Sequence, residues 1–564
     1  MIEGLNPAFI LLAAALLLPL VPEAARRPLM LGAPVAGLLQ LAGLPYGEQG
    51  VLTAYGLEFV TLRLDSLSFV FGVVFHLAAL LGVLFALHVR DTMQHIATLV
   101  YAGAAVGALL AGDLITLFVY WELTAVSSVF LIWATRTRVA LRAGMRYLIV
   151  QVTSGVLLLA GAVLFFRETG TTGFGHIGLD SPAGLLIFLA FGIKCAFPLL
   201  HNWLQDAYPE ATVTGTVILS AFTTKLAVYS LARGFAGEQI LVTIGAAMTA
   251  FPIFYAVIEN DLRRVLSYSL NNQLGFMVVG IGVGTELAIN GAAAHAFAHI
   301  LYKALLFMSM GAVLYRTGTV KASELGGLYK SMPWTTGFCL VGAASISAFP
   351  LMSGFVSKSL ILTAAAEQHH WFAFLVLLFA SAGVLHHSGI KVPYFTFFAH
   401  DSGIRCREAP LNMLLAMGVS AFLCVAIGVY PAPLYAILPY PVDFEPYTLS
   451  HVVTQMQLLM FSIMAFTVLM RTGVYPPELR STNLDFDWLY RRGVPWMSAR
   501  LEAATREVRT GLADGTSAGL LTAGLWIRRL GEPGGIVARH KTPSTMVLIM
   551  LSAFLVFLLI AFAH

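Results

Sequence analysis

Seven side chains able to exchange a proton fall inside stretches otherwise fit for a lipid bilayer: Glu122, Lys194, Lys225, His295, His299, Lys303 and Lys358. A Lys or Glu at the centre of a membrane helix costs about 2.5 to 3.5 kcal/mol on insertion scales, so the five charged groups would cost on the order of 15 kcal/mol together. Packing alone favours Leu at such positions. One such residue is explained by snorkelling from a span end, or by a fixed ion pair between two helices. Four lysines cannot all be neutralised by the one glutamate, Glu122. The surplus points to protons, because desolvation disfavours an ammonium and a nearby carboxylate restores it, which makes a buried lysine switchable. Glu122, in Tyr120-Trp121-Glu122-Leu123, and Lys194 lie in the same half of the chain. Closure of that pair keeps a proton on Lys194, and opening passes it on. His295, His299 and Lys303 recur at i, i+4 and i+8, along one helical face over about 12 Å. That is relay spacing, and histidine titrates in the useful range. The competing role for the two histidines is hydrogen bonding that glues helices together.

The elements that must hold these groups are helices. Of 564 residues, 58% are hydrophobic and 11% charged, against roughly a quarter charged in soluble domains. The apolar runs last about 20 residues, which selects membrane-spanning helices over the short alternating strands of a barrel. Windowed hydropathy predicts an all-α membrane protein of about sixteen spans from 6 to 563, among them 182 to 205, 211 to 234, 334 to 366 and 370 to 398. Glu3 and the lack of a basic start argue against a cleaved signal, so the first span is expected to stay. One set of loops collects Arg26, Arg27, Arg90, Arg136, Arg263, Arg264 and Lys321, whereas the opposite set holds only Arg63, Arg167 and Arg233. The basic set belongs inside, so the N-terminus is expected outside in a multi-pass protein of the cell inner (plasma) membrane.

A four-residue repeat organises the middle of the chain. Ala196-Phe197-Pro198-Leu199 in span 7 recurs as Ala348-Phe349-Pro350-Leu351 in span 12. Five spans separate them, an odd number that reverses orientation, and the prolines are expected to break both helices. Paired interrupted spans are a pointer to a transport site. The expected divisions are N-terminal helices 1–93, a first inverted repeat 94–234, a second 235–400, C-terminal helices 401–471, an amphipathic in-plane segment 472–544 and a final span 545–564. In the amphipathic segment Trp488, Trp496 and Leu501 interleave with Arg500 and Arg506, as in a helix lying at the headgroup level on the cytoplasmic side.

Other chemistries are excluded. Cys195, Cys339, Cys406 and Cys424 form no CxxC pair, and the adjacent pairs His369-His370 and His386-His387 point to different helix faces, so no metal site is expected. There is no Walker loop, no GxSxG and no dinucleotide fingerprint. No cofactor and no nucleic acid are expected.

The motifs carry a family resemblance. Leu64-Asp65-Ser66-Leu67-Ser68, Trp121-Glu122-Leu123, Gly192-Ile193-Lys194 running into His201-Asn202-Trp203, Arg264-Val265-Leu266-Ser267-Tyr268-Ser269, Lys303-Ala304-Leu305-Leu306-Phe307 and Ser353-Gly354-Phe355-Val356-Ser357-Lys358 resemble the antiporter-like subunits of Mrp-type sodium/proton antiporters, respiratory complex I and membrane-bound hydrogenases. The resemblance covers roughly residues 60–430. It implies two inverted five-helix repeats, spans 4 to 8 and 9 to 13, each a half-channel. It also implies a gating pair at Glu122 and Lys194, a connecting Lys225, a central relay of His295, His299 and Lys303, and a terminal Lys358. Lysine at both Lys225 and Lys358 is most similar to the D type of Mrp subunit. Leu270-Asn271-Asn272 departs from the family's small hydroxyl run before Gln273, and the long C-terminal segment is similar to the L type.

The function expected is a proton-translocating subunit of a multisubunit monovalent cation (sodium)/proton antiporter, not an enzyme in itself. Its partners are other membrane subunits, protons and monovalent cations, and the lipid bilayer. The rival readings are an antiporter-like subunit of a complex I-like or hydrogenase enzyme, a subunit of an inorganic-carbon uptake complex, and a scaffold with vestigial charges.

Overall fold

A computed structural model of the chain describes residues 5–54, 57–476, 478–479, 483–503, 505–506, 522 and 525. Several of the helices begin where a short polar side chain caps free backbone N–H groups. Helices α1 (Ala8–Leu17) and α2 (Glu23–Gly43) precede a hairpin of strands β1 (Gly47–Ala54) and β2 (Leu57–Leu64). Helix α3 (Ser66–Ala86) then starts on a reciprocal box in which Asp65 and Ser68 cap each other's backbone. Asp91, Asp113 and Thr137 likewise cap α4 (Thr92–Leu109), α5 (Leu114–Trp133) and α6 (Arg138–Thr169). Next come α7 (Pro182–Cys195), α8 (Asn202–Ala207), α9 (Val213–Ala221) and α10 (Thr223–Gly234).

The second half holds α11 (Ile240–Ile258), α12 (Leu262–Val283), α13 (Glu286–Thr317), α14 (Pro333–Ile346) and α15 (Ser353–Glu367). Helix α16 (Trp371–Val384) passes into the wide turns Leu385–Lys391 and Tyr394–Phe398, both π-helical. The bundle closes with α17 (Leu411–Val429), α18 (Ala432–Tyr435) and α19 (Leu449–Arg471). Among the described residues, nine helices are long and apolar enough to cross a membrane. Helix α13 is the axis: its buried run extends from Ala288 to Val313. Helices α11 and α12 meet through Gly245 and Gly275, where a Cβ on either would run into the other's backbone, the small-residue contact of membrane packing.

Three expectations are revised. The all-α reading omitted the hairpin, which pairs Gly47 with Leu64 through Ala54 with Leu57; strands of 8 residues are invisible to a window tuned to membrane spans. Span 8 is two helices, broken at Phe222, rather than one. Span 13 is distorted by π turns. The interruptions expected in spans 7 and 12 lie at 196–201 and 347–352.

A second compact unit covers Leu484–His564. It contains the π turn Leu489–Gly493, an Arg491–Asp487 ion pair at 2.6 Å and the Arg500 guanidinium 5.0 Å from the centre of the Trp496 ring. Trp488, Trp496 and Leu501 are exposed. The expected final span 545–564 and most of the expected amphipathic segment lie outside the described residues.

Candidate ion-relay site

The two interrupted helices share one backbone device. Ala196 and Leu199 take φ of 61° and 72°, and Ala348 and Leu351 take 55° and 70°. These left-handed conformations are disfavoured for residues with a Cβ. Phe197 N–H donates to Gly192 O at 3.0 Å, and Phe349 N–H to Ala344 O at 3.0 Å. Pro198 and Pro350 have no N–H to continue either helix. A broken helix leaves carbonyls short of backbone donors, and buried side chains reach them: Lys358 Nζ donates to Ile346 O at 2.7 Å, and Trp203 Nε1 joins the Ala196 N–H on Ile193 O, at 2.9 Å.

Lys194, on the last turn of α7, is fully buried. Its ammonium donates to Trp121 O at 2.7 Å and Thr124 Oγ1 at 2.9 Å, and stands 4.3 Å from the centre of the Trp121 ring. The Trp121 ring is held by its own Nε1–H to Ser154 Oγ at 3.0 Å. The expected Glu122 partnership is electrostatic proximity, not a closed ion pair. Glu122 is partly buried, its Oε1 has no hydrogen-bond partner among the described residues, and the carboxylate rests on Gly155 of α6, where a Cβ would occupy its place.

Lys225 follows the break at Phe222. Its ammonium donates to Ser220 O at 2.6 Å, a carbonyl the break releases, and to Thr224 Oγ1 at 3.2 Å. On α13, His295 Nδ1 lies 3.0 Å from Ser357 Oγ, and Tyr302 OH donates to Gln273 Oε1 at 3.1 Å while standing 3.4 Å from His295 Nε2. Both ring nitrogens of His299 and the Lys303 ammonium have no hydrogen-bond partner among the described residues. Lys225, Lys303, His295 and Lys358 all lie within electrostatic reach of His299. The fold therefore gathers Lys225, His295, His299, Lys303 and Lys358 in one buried interior, and buries Lys194 against Trp121 with Glu122 nearby.

Sequence reasoning passed over two more buried groups. Lys391 and His387 are fully buried on the π turn after α16. Lys391 was visible as a lysine outside any loop, but its partners are remote in sequence. Its ammonium donates to Val257 O at 2.5 Å and Glu259 O at 2.7 Å and pairs with Glu478 at 3.0 Å.

Fold and interior define a polytopic helical membrane protein with a buried row of ionisable side chains. Residues 111–384 match the family described as NADH:quinone oxidoreductase/Mrp antiporter, TM. It is 28% identical to hydrogenase-4 component B of Escherichia coli, over 65% of this chain and 62% of the relative. With the D-type Na(+)/H(+) antiporter subunit of Alkalihalophilus pseudofirmus it shares 31% identity, over 48% of this chain and 59% of the relative. The A-type subunit of that organism's antiporter aligns at 26% over 90% of this chain and 69% of the relative. The chain thus spans about three-fifths of the length of the first two relatives. Its fold is similar to a chain of the Mrp complex from Dietzia sp. DQ12-45-1b, with TM-score 0.68 and 23% identity over 82% of this chain and 98% of that one. A chain of respiratory complex I from Thermus thermophilus gives TM-score 0.68 and 21% identity, over 80% and 99%.

Proposed function

We propose that this chain is the proton-translocating subunit of a multisubunit monovalent cation/proton antiporter of the plasma membrane. The observation that carries the reading is the burial of Lys194, Lys225, Lys303 and Lys358 in one interior with His295 and His299. Two of these ammonium groups sit on carbonyls released by helix breaks. Glu122 and Lys194 form the gate, Lys225 connects, His295, His299 and Lys303 relay, and Lys358 ends the second half. Residues 94–234 and 235–400 are the two inverted repeats, and the matched φ pairs at Ala196/Leu199 and Ala348/Leu351 support that division. The full chain has about sixteen spans, with the N-terminus outside and the loops bearing Arg136 and Arg264 inside. A unit charge crossing the membrane is worth about 2.3 kcal/mol per 100 mV, so a few coupled charges suffice to exploit a sodium gradient.

The likeness to hydrogenase-4 component B supports a second reading, in which redox work in partner subunits drives the same relay. Everted vesicles containing the chain and the subunits encoded beside it separate the two. Proton movement on addition of sodium or potassium, abolished by Lys194→Ala, supports antiport. Proton movement only when an electron donor is supplied supports the redox-driven complex.

A further inference from the structure

The π-helical turn Leu385–Lys391 inserts ionisable groups where the relay does not require them. Such turns widen a helix locally and concentrate at functional sites. The wide turn is packed into the centre of the bundle: a Cβ on Gly389 would strike the Ser347 hydroxyl, beside the Ile346 carbonyl that holds Lys358. His387 Nδ1 is 2.8 Å from Ser388 Oγ, and Ser388 Oγ donates to Ser269 Oγ of α12 at 2.7 Å. One turn further along α12, Gln273 Nε2 donates to Asn272 Oδ1 at 2.5 Å, and Gln273 Oε1 accepts from Tyr302, the hydroxyl that faces His295. Residues three and four apart share a helix face, so Ser269, Asn272 and Gln273 form one polar strip from the central histidines to the π turn.

From the buried far end of the turn, polar contacts lead outward. The Lys391 ammonium caps the last carbonyls of α11 and pairs with Glu478. Glu259 accepts from the backbone of Asn260 and Asp261 and from Asn483 Nδ2 at 3.1 Å. Asp261 in turn pairs at 2.7 Å with Lys321, whose side chain is 44% exposed. The charged and titratable groups facing the turn are Lys303 and Lys358 on α13 and α15, Glu259 at the end of α11, Tyr475 and Glu478 after α19, and His386 on the turn itself.

We propose that Leu385–Lys391 is a proton branch, joining the His295/Lys303/Lys358 interior to the protein face marked by Asp261 and Lys321 through His387, Ser388, Ser269, Lys391 and Glu478. It rests on the proton-translocating reading above and extends it. At each step one proton leaves a nitrogen or oxygen and joins the lone pair of the next group. In the last step the Lys391 ammonium gives its proton to the Glu478 carboxylate, leaving a neutral amine beside a carboxylic acid, and Glu478 then releases it to the aqueous side. No electrons move.

Arginine at position 391 separates transport from architecture. It keeps the positive charge and the donors that hold Val257, Glu259 and Glu478, yet does not give up its proton. Everted vesicles carrying the whole complex should show cation-dependent proton movement reduced about ten-fold or more in both Lys391→Met and Lys391→Arg, at wild-type subunit levels. A wild-type rate in Lys391→Arg overturns the branch and leaves Lys391 as a brace. Should the Lys391 variants not assemble, His387→Gln decides: it retains a hydrogen-bonding side chain without a titratable ring, and a wild-type rate overturns the branch. An active wild type, an inactive Lys194→Ala and a fully active Lys391→Arg refute the branch alone. No proton movement in the wild type, with or without an electron donor, refutes the underlying reading as well.

Discussion

Lys194 directs its ammonium to the carbonyl of Trp121, the residue immediately before Glu122, while Glu122 Oε1 has no hydrogen-bond partner among the described residues. The Lys194 ammonium thus rests on neutral acceptors within electrostatic reach of the Glu122 carboxylate. The proposed gate requires the ammonium to leave Trp121 O and Thr124 Oγ1, where it rests, for a second position on Glu122. A switch needs both.

Removing either member should stop proton movement and spare assembly. Glu122→Gln and Lys194→Ala should each lower cation-dependent proton flux about a hundred-fold, measured by pH-dye quenching in everted vesicles, with wild-type amounts of complex on native gels. Wild-type flux in an assembled variant refutes the gate.

Gly155→Ala is a subtler probe. The added methyl falls on the Glu122 carboxylate, the free end of a flexible side chain, which can swing aside at small cost to folding. Flux should fall severalfold while the thermal midpoint stays near that of the wild type; unchanged flux would show that the carboxylate's position on α6 does not matter.

Arg146 holds Asp206 through two hydrogen bonds, at 2.7 and 2.9 Å, and so ties α6 to the short helix beyond the first break. Asp206→Asn weakens a charge-assisted pair whose acid is 9% exposed. Thermal unfolding of the detergent-solubilised complex should report a loss of about 1 to 3 kcal/mol.

Ala348 occupies left-handed backbone at φ 55°. Ala348→Gly relieves the Cβ conflict, partly offset by the freer unfolded chain, and should stabilise the protein by about 0.5 to 1 kcal/mol. The same denaturation experiment checks it, and a lower midpoint would mean that the methyl packs more than it strains.

Asp65 supplies a pH-dependent term outside the membrane spans. Burial raises its carboxyl, but the Arg233 guanidinium and the Ser68 backbone N–H outweigh burial and hold it below the ordinary carboxylate value. A depressed value stabilises the fold above the unfolded carboxyl's midpoint of about 3.9, and that contribution disappears as pH falls through the folded one. The gap in thermal midpoint between wild type and Asp65→Asn should be full at neutral pH and close in acid.

Much of this interior was legible in the sequence because each buried lysine contradicts its apolar surroundings, and because the Ala-Phe-Pro-Leu repeat marks both interruptions. The break before Lys225 was not, since Phe222 is flanked by residues that continue helices elsewhere in the chain. Lys194 illustrates another limit: the family resemblance paired it with Glu122, but the competing carbonyl of Trp121 becomes visible only once α5 and α7 are packed. Lys391 and Glu478 are joined only by tertiary folding, and no local pattern announces such a pair. The hairpin escaped for a different reason, its strands being far shorter than a membrane span.

That hairpin does more than decorate the surface. Val60 O accepts from Gly112 N–H, Arg63 N–H donates to Leu110 O, and Val60 N–H meets the Asp113 side chain. Phe174 N–H then extends the same strip to Gly112 O, and Leu114 N–H to Thr172 O. The ends of α4, α5 and α6 are stitched to one β-ribbon, as the spokes of a wheel are fixed to its rim. Helices so joined cannot splay apart one by one at that end, so the gate proposed at Glu122 works from a wall whose three helices move as one there.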